Sequence, residues 1–288
     1  MKSKKYIVIY NECLRSKIIF FDFINKNPNS IRAVIKLPIT SKSTKNNNSL
    51  FLPLRVLKKG SIGYIAYSIF QTIIYSLISK FFKSEIRNLC LKKKIWYDES
   101  KNFPDKNYLK DKIPNYQKQD ILLISIANIL SKKDLSIENV VLNFHESDPR
   151  YHRGIGICHE FALSDKKKFK TVIMEPNEGI DTGRIILFSK YNSIKNFSVF
   201  KIYLAGYFSQ SKLINKIKKI KITKKFPRST KKVGKYFTFP NKETEKAIKL
   251  KGKKIFSIAD FFLMYKIFKI FNNDKFYKTI NKYLKNEN

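Results

Sequence analysis

Acidic residues are few in this chain beside its basic ones. Against 59 Lys and Arg it carries 22 Asp and Glu, leaving a formal charge of +37 over 288 residues. Glycine and alanine are also scarce, while Lys, Asn, Ile, Phe and Tyr abound. That joint bias is what an A+T-rich coding sequence produces. Two origins of the charge therefore stand side by side: lysine drift on solvated faces, or a footprint for nucleic acid, anionic lipid or a phosphorylated ligand. Cysteine is nearly absent too. Cys13, Cys90 and Cys158 lie far apart, odd in number and without a Cys-x-x-Cys pair. This is neither a disulfide framework nor a zinc ribbon, and it fits a reducing cytoplasm. No internal repeat is visible. The apolar run after the basic start covers only residues 6–10 before Asn11 and Glu12. It is too short for a signal-peptide core and reads as a first strand.

Residues 61–79 carry no charge and are long enough to span a membrane. However, Ser61, Ser68, Gln71, Thr72, Ser76 and Ser79 spread polar groups through the stretch. Ile65, Ile69, Thr72, Tyr75 and Ile78 step at helical spacing. The spacing predicts an amphipathic helix packed on the domain, with a helix lying on a membrane surface as the alternative.

What is present suffices for a core. Hydrophobic residues make up 43% of the chain, which allows one large domain, alone or with an appendage, and excludes disorder along most of the length. Residues 6–10 read as a strand, 11–26 as a helix with Leu14, Ile18, Phe21 and Ile24 on one face, and 31–37 as a second strand. Residues 41–49 form a polar loop, 61–83 a helix, and 97–118 a polar, proline-containing surface excursion. Four further strands rich in Ile and Val follow at 121–126, 140–145, 170–175 and 184–190. Strands separated by helices predict an α/β fold, with a mostly parallel twisted sheet flanked by helices. Functional loops then belong at the carboxyl ends of the strands. A helix over about 197–216 closes a domain of residues 1–207. Residues 208–288 form a basic, mainly helical C-terminal extension, with a helix capped by Asn241 and helical segments near 256–272 and 274–285. Within 211–235 there are eleven Lys or Arg and no acid, so clustering, beyond average composition, marks this tract as an anion-binding candidate.

All three histidines fall within residues 145–159, in Asn143-Phe-His145-Glu-Ser-Asp-Pro-Arg-Tyr-His152-Arg-Gly154 and His159. Histidine is the side chain whose charge changes near neutrality. On a strand, Asn143 and His145 point to the same side, where an amide N–H and an imidazolium N–H suit a developing oxyanion. Asp181, in the turn Gly179-Ile-Asp-Thr-Gly183, is the natural carboxylate to orient that ring. Acyl-group chemistry is the reading these residues support. The seven-residue spacing of the histidines, with Asp148 and Cys158 nearby, raises a metal site. Pro149 and Gly154 interrupt any helix that would align them, so no metal is expected.

The order Asn-x-His, Pro-Arg-Tyr, Arg-Gly and then Gly-Ile-Asp-Thr-Gly resembles the formyltransferase family that uses 10-formyltetrahydrofolate. The segment Asp120-Ile-Leu-Leu-Ile-Ser-Ile-Ala-Asn-Ile-Leu-Ser131 is similar to the strand and loop that precede the motif there. The resemblance is one of organisation over residues 1–205 and is specific over 120–190. It implies a Rossmann-like sheet and direct attack of a substrate amine on the formyl carbon. It further implies that Asn143 and His145 stabilise the oxyanion and that Asp181 sets the charge and orientation of His145. Ala127, Asn128, Ile129 and Leu130, with Gly179, would line the folate site; Arg153 and Gly154 would meet the acceptor. Departures are visible. Ser147-Asp148 replaces an apolar pair before Pro149, His152 stretches the usual Tyr-Arg-Gly, and Ile173-Met174 stands where a polar residue is common. The family's acceptors divide three ways. The tail lacks an evident barrel of the methionyl-tRNA branch, and Tyr10-Asn-Glu-Cys-Leu-Arg-Ser16 lacks the glycine-rich loop of the glycinamide ribonucleotide branch. Elimination leaves a nucleotide-linked amino sugar as the expected acceptor. The alternatives are methionyl-tRNA formylation, or a non-catalytic module that binds nucleic acid or anionic membrane through 211–235. The expected location is cytoplasmic or membrane-peripheral.

Overall fold

A computed structural model describes residues 4–38, 60–82, 85–127, 130–163, 168–192, 197–220 and 233–270. Short runs of Ile, Val and Leu build the sheet: β1 (Tyr6–Asn11), β2 (Ile31–Leu37), β3 (Trp96–Glu99), β4 (Ile121–Ser125) and β5 (Val140–His145). A short β6 (His152–Gly154) stands apart from that sheet, and β7 (Lys168–Glu175) and β8 (Arg184–Asn192) complete it. The order is β3-β2-β1-β4-β5-β7-β8. The first five strands run parallel, while β7 is antiparallel to β5 and β8 to β7. β1 and β4 are buried along their whole length, as parallel strands covered on both faces must be. The expected mostly parallel sheet is what the chain forms.

The stretch 97–118, read from sequence as a surface excursion, instead supplies edge strand β3 and a helix over Lys106–Lys112. Asp105 caps that helix by accepting the Tyr108 N–H at 2.9 Å. An edge strand keeps polar side chains in water, so it lacks the apolar run that announces a central strand.

In chain order the helices are α1 (Leu14–Lys26), α2 (Ile62–Ile69), α3 (Tyr75–Phe81), α4 (Ile86–Lys92), α5 (Lys106–Lys112), α6 (Lys132–Leu135), α7 (Gly156–Leu163), α8 (Val199–Ile217), α9 (Lys242–Leu250) and α10 (Ile258–Ile270). A π-turn, Phe70–Ile74, joins α2 to α3. One sheet face packs on α1, α7 and α8 through Val8, Leu123, Leu142 and Phe144. Phe20 of α1 meets Phe144 edge-on at 5.4 Å between ring centres. Each of these fully buried rings stabilises the fold by roughly 1.5–3 kcal/mol. The other face, Ile7, Ile9, Leu122, Ile124 and Val141, packs on Leu109 and Ile113 around α5.

The helix expected over 61–79 is present, and three residues of the expected face pack inward: Tyr75 is buried, and Ile65 and Ile78 pack partly buried against the core. Tyr64, Tyr67 and Ser79 are buried with them, while Ile69 and Thr72 are exposed. Asn241 caps α9 as expected, accepting the Thr244 N–H at 3.0 Å. The expected loop 41–49 and the segment near 274–285 lie outside the described residues.

The extension reaches back to the main body. β9 (Lys235–Phe237) pairs in parallel with β6, and the Ser61 N–H donates to the Pro240 carbonyl at 2.8 Å.

Candidate active site

Strand order reverses around β1, which has β2 on one side and β4 on the other. The carboxyl ends there form the crevice where α/β folds bind ligands. Asn11 ties those ends together. Its Nδ2 donates to the Leu37 and Pro38 carbonyls, each at 3.1 Å, and its Oδ1 accepts the Ala127 N–H at 2.6 Å. Ser16, at the start of α1, donates to the Ser125 carbonyl at 3.1 Å.

β5 brings in the catalytic candidates. Leu142 and Phe144 face the α1 side and Val141 the α5 side, so Asn143 and His145 share the side of Val141. The end of the strand is held from both neighbours. Arg15 of α1 donates to the Phe144 carbonyl and pairs with Glu146 at 3.1 Å. The Thr171 hydroxyl of β7 donates to the His145 carbonyl at 2.8 Å.

His145 is buried. Its Nδ1 lies 3.5 Å from Asp181 Oδ1, and its Nε2 lies 3.1 Å from Ser147 Oγ. Ser147 has one proton to give, and the His152 carbonyl, 2.8 Å away, can only accept. With that proton committed, Nε2 must donate to Ser147. Nδ1 faces a carboxylate, which also only accepts. Both ring nitrogens therefore have a partner in place, Ser147 at Nε2 and the Asp181 carboxylate at Nδ1.

Asp181 is presented by a braced turn. Its backbone has φ of +52°, a left-handed conformation that Asp adopts more readily than most residues. Its second oxygen, Oδ2, accepts the Gly154 N–H at 2.9 Å. Arg153 holds the adjacent peptide: Nη1 donates to the Ile180 carbonyl at 3.0 Å and Nε to the Gly234 carbonyl at 2.7 Å. Inside the turn Asn177 Oδ1 accepts the Gly179 N–H at 3.2 Å and the Thr182 hydroxyl. A Cβ at Gly183 would fall 1.9 Å from the Glu175 carbonyl oxygen, so only glycine lets the turn close against β7.

The expected trio is thus partly assembled in contact. His145 and Asp181 face each other, and Asn143 lies one strand repeat away with Oδ1 buried and without a hydrogen-bond partner. Arg153 and Gly154, expected at the acceptor, have their polar groups turned to the Asp181 turn. Gly179 sits within that turn. Ala127 gives its N–H to Asn11, and Leu130 packs against the α5-side core. Asn128 and Ile129 lie outside the described residues.

Sequence reading missed Ser147, Asn11 and Arg15. Ser147 had a signal: it continues the two-residue step from Asn143 and His145. Asp148 settles the departure before Pro149. Burial pushes its carboxyl up, but the Arg150 guanidinium at 2.9 and 2.7 Å, the Arg150 N–H and Lys170 outweigh this and hold it below its usual range. His152 and His159 both stack on the Phe237 ring, at 5.4 and 4.5 Å between ring centres. They clasp the extension strand. Among the described residues no group of three or more His, Cys, Asp or Glu is placed to hold a metal ion.

No family model matches the chain, and no curated protein does. Solved structures do. The chain is similar to an N-formyltransferase from Helicobacter canadensis in complex with folinic acid and dTDP-3-aminofucose, at 14% identity and a TM-score of 0.44, over 84% of this chain and 72% of that one. It is also similar to a 4-N formyltransferase from Francisella tularensis, at 15% identity and a TM-score of 0.47, over 85% and 79%. A third is the phosphoribosylglycinamide formyltransferase of Streptococcus pneumoniae, at 11% identity and a TM-score of 0.44, over 75% and 98%.

Proposed function

We propose that the chain moves a formyl group from 10-formyltetrahydrofolate to the amine of a small phosphorylated acceptor, a nucleotide-linked amino sugar, at the carboxyl ends of β1, β4 and β5. The observation that carries this reading is the row Asp181–His145–Ser147 beside Asn143, with the histidine and serine buried. The order of motifs over residues 120–190 supports the choice of donor.

The donor supplies an electrophilic carbonyl carbon carried on nitrogen. What the chain provides is a site for the negative charge that develops on that carbonyl's oxygen. The His145 ring, with Asp181 at Nδ1, places a positive charge beside it when protonated. The Asn143 amide fits the same oxygen. Its Oδ1 is buried and unmet, and a half-turn of the amide brings N–H donors to that position at little steric cost. For His145 to exchange a proton with the attacking amine, Nε2 must turn from Ser147 to the amine, while Asp181 keeps Nδ1. The positive charge of the chain suits a diphosphate-bearing acceptor. A reducing cytoplasm suits its three free thiols.

The test is mass spectrometry of acceptors incubated with purified protein and 10-formyltetrahydrofolate. The panel holds dTDP- and UDP-linked amino sugars, glycinamide ribonucleotide and methionyl-tRNA. A formylated sugar nucleotide is expected, with turnover reduced about 10²–10⁴-fold in a folded His145→Ala variant. Product on methionyl-tRNA alone would reassign the acceptor. No product on any amine, together with nucleic-acid binding that collapses in salt, would replace catalysis by a binding role.

A further inference from the structure

The helix that begins at Ile62 lies outside the two layers that cover the sheet. By length and composition it is able to cross a membrane, yet 24% of its most apolar window is buried in the protein. Its inner side is committed. Tyr67 stacks on Tyr203 of α8 and Tyr75 meets Phe268 of α10 edge-on. Its outer side is apolar and open: Ile62, Ile69, Ile73, Leu77 and Phe81 are all exposed, Ile73 by 53% and Leu77 by 60%. The last four recur every fourth residue and share one face. α10 continues the surface. Phe70 contacts Phe261 at 5.9 Å and Phe82 contacts Tyr265 at 5.8 Å, and Ile258 and Phe262 stand exposed beyond them. Scattered apolar residues on a surface need no explanation, but a continuous face does.

The exposed charges that α2, α3 and α10 themselves carry have one sign among the described residues. Residues 60–82 contain no acid, and Lys80 is exposed. On α10 the one acid, Asp260, is buried, and Lys266 and Lys269 are exposed. We infer that this lysine-rimmed apolar face seats on an anionic phospholipid surface, with Ile69, Ile73, Leu77 and Phe262 entering the boundary between headgroups and acyl chains. The helix then lies along the membrane plane, because its tyrosine side is already packed on the protein. An apolar stripe buried by a few ångströms and flanked by Lys is the physical form of an interfacial helix. A second copy of the chain fits the face less well. Two-fold pairing sets each patch on its own counterpart and brings like-charged lysine rims together, with no exposed acid among the described residues of α2, α3 and α10 to meet them. This surface is distinct from the formyl-transfer site and does not depend on that reading.

The experiment is cosedimentation of the full chain with phosphatidylcholine vesicles, with and without phosphatidylserine, at physiological salt. Since +37 of charge binds anionic vesicles by itself, the comparison is between charge-matched variants. Ile73→Glu with Leu77→Glu removes two charges' worth of net positive and breaks the face. Lys110→Gln with Lys112→Gln removes the same charge from α5, across the sheet. The first pair is expected to lower binding to phosphatidylserine vesicles about tenfold or more; the second is expected to stay within about twofold of the parent chain. Phe262→Ser gives the same direction from the other helix. Equal losses in the two pairs, or none in either, would overturn the proposal. So would a lipid-free dimer that the Ile73→Glu pair dissociates, since a second copy would then own the surface.

Discussion

Gly154 donates its backbone N–H to Asp181 Oδ2 at 2.9 Å, while the other oxygen of that carboxylate lies 3.5 Å from His145 Nδ1. The glycine therefore aims the acid that aims the histidine. Gly154 has φ of +68°, and a Cβ there would lie 2.3 Å from the Phe237 carbonyl oxygen. Gly154→Ala is expected to displace β9 or Asp181. Stability should fall by roughly 1–3 kcal/mol, and turnover by more than the unfolded fraction explains. Urea unfolding beside kcat measures both. An unchanged kcat would show that the acid does not need this anchor.

Asp181 supplies charge as well as direction. In Asp181→Asn an amide replaces the carboxylate facing His145, and the ring loses the negative charge beside Nδ1. The expected loss in kcat is about 10²–10⁴-fold, with affinity for a folate analogue changed by no more than a few-fold. Steady-state kinetics and equilibrium binding separate the two. A kcat within tenfold of the parent would leave Asp181 a turn residue only.

Acidification acts through His159. Burial lowers its pKa below the ordinary 6.5; the Thr238 carbonyl opposes this, and Lys235 adds to it. The folded state thus binds the proton less readily than the unfolded chain. The stability tied to neutral His159 is complete above about pH 6.5 and is lost as pH falls through the lower folded value. Thermal midpoints should decline from pH 7.5 toward pH 5. His159→Gln, which keeps a donor for Thr238, should flatten that decline. A slope unchanged in the variant would move the effect to other groups.

Lys17 is buried in α1 with its ammonium 4.6 Å from the centre of the Phe268 ring. Burial lowers its pKa to about 7, against the opposing pull of Glu12 and Glu85. Between pH 7 and 10.5 the unfolded chain holds a proton that the folded chain has released, so stability rises with pH across that range. Lys17→Met keeps the aliphatic stem and removes the buried charge. It is expected to raise stability near neutrality by roughly 1–4 kcal/mol and to erase the alkaline rise. Denaturant unfolding at pH 7 and pH 9.5 tests both. A destabilised variant would mean that the ammonium's contacts outweigh its desolvation.

Central strands were legible because burial on both faces forces a continuous apolar run, as Ile121-Leu-Leu-Ile124 shows. Edge strand β3 was not, because Asp98 and Glu99 stay in water. The face of α2 and α3 was legible only in part: Ile65, Tyr75 and Ile78 pack inward as their spacing suggests, but Tyr67 is turned in by stacking on Tyr203, a partner distant in sequence. β9 was invisible as well. Three residues, Lys235-Tyr-Phe237, carry no periodicity, and they are extended because β6 pairs with them.

Local sequence alone determined that Asn143 and His145 share a side of one strand and that the turn at 179–183 is tight. Alternation and backbone sterics act between neighbours, so both are fixed before the chain folds. Only the tertiary structure decided that Asp181 reaches His145, that Ser147 takes its other nitrogen, and that Arg153 and Gly234 brace the turn. Apart from Ser147, which is two residues from His145, those bonds join residues distant in sequence. Their geometry is set by how β5, β7 and the extension pack together, which no local pattern encodes.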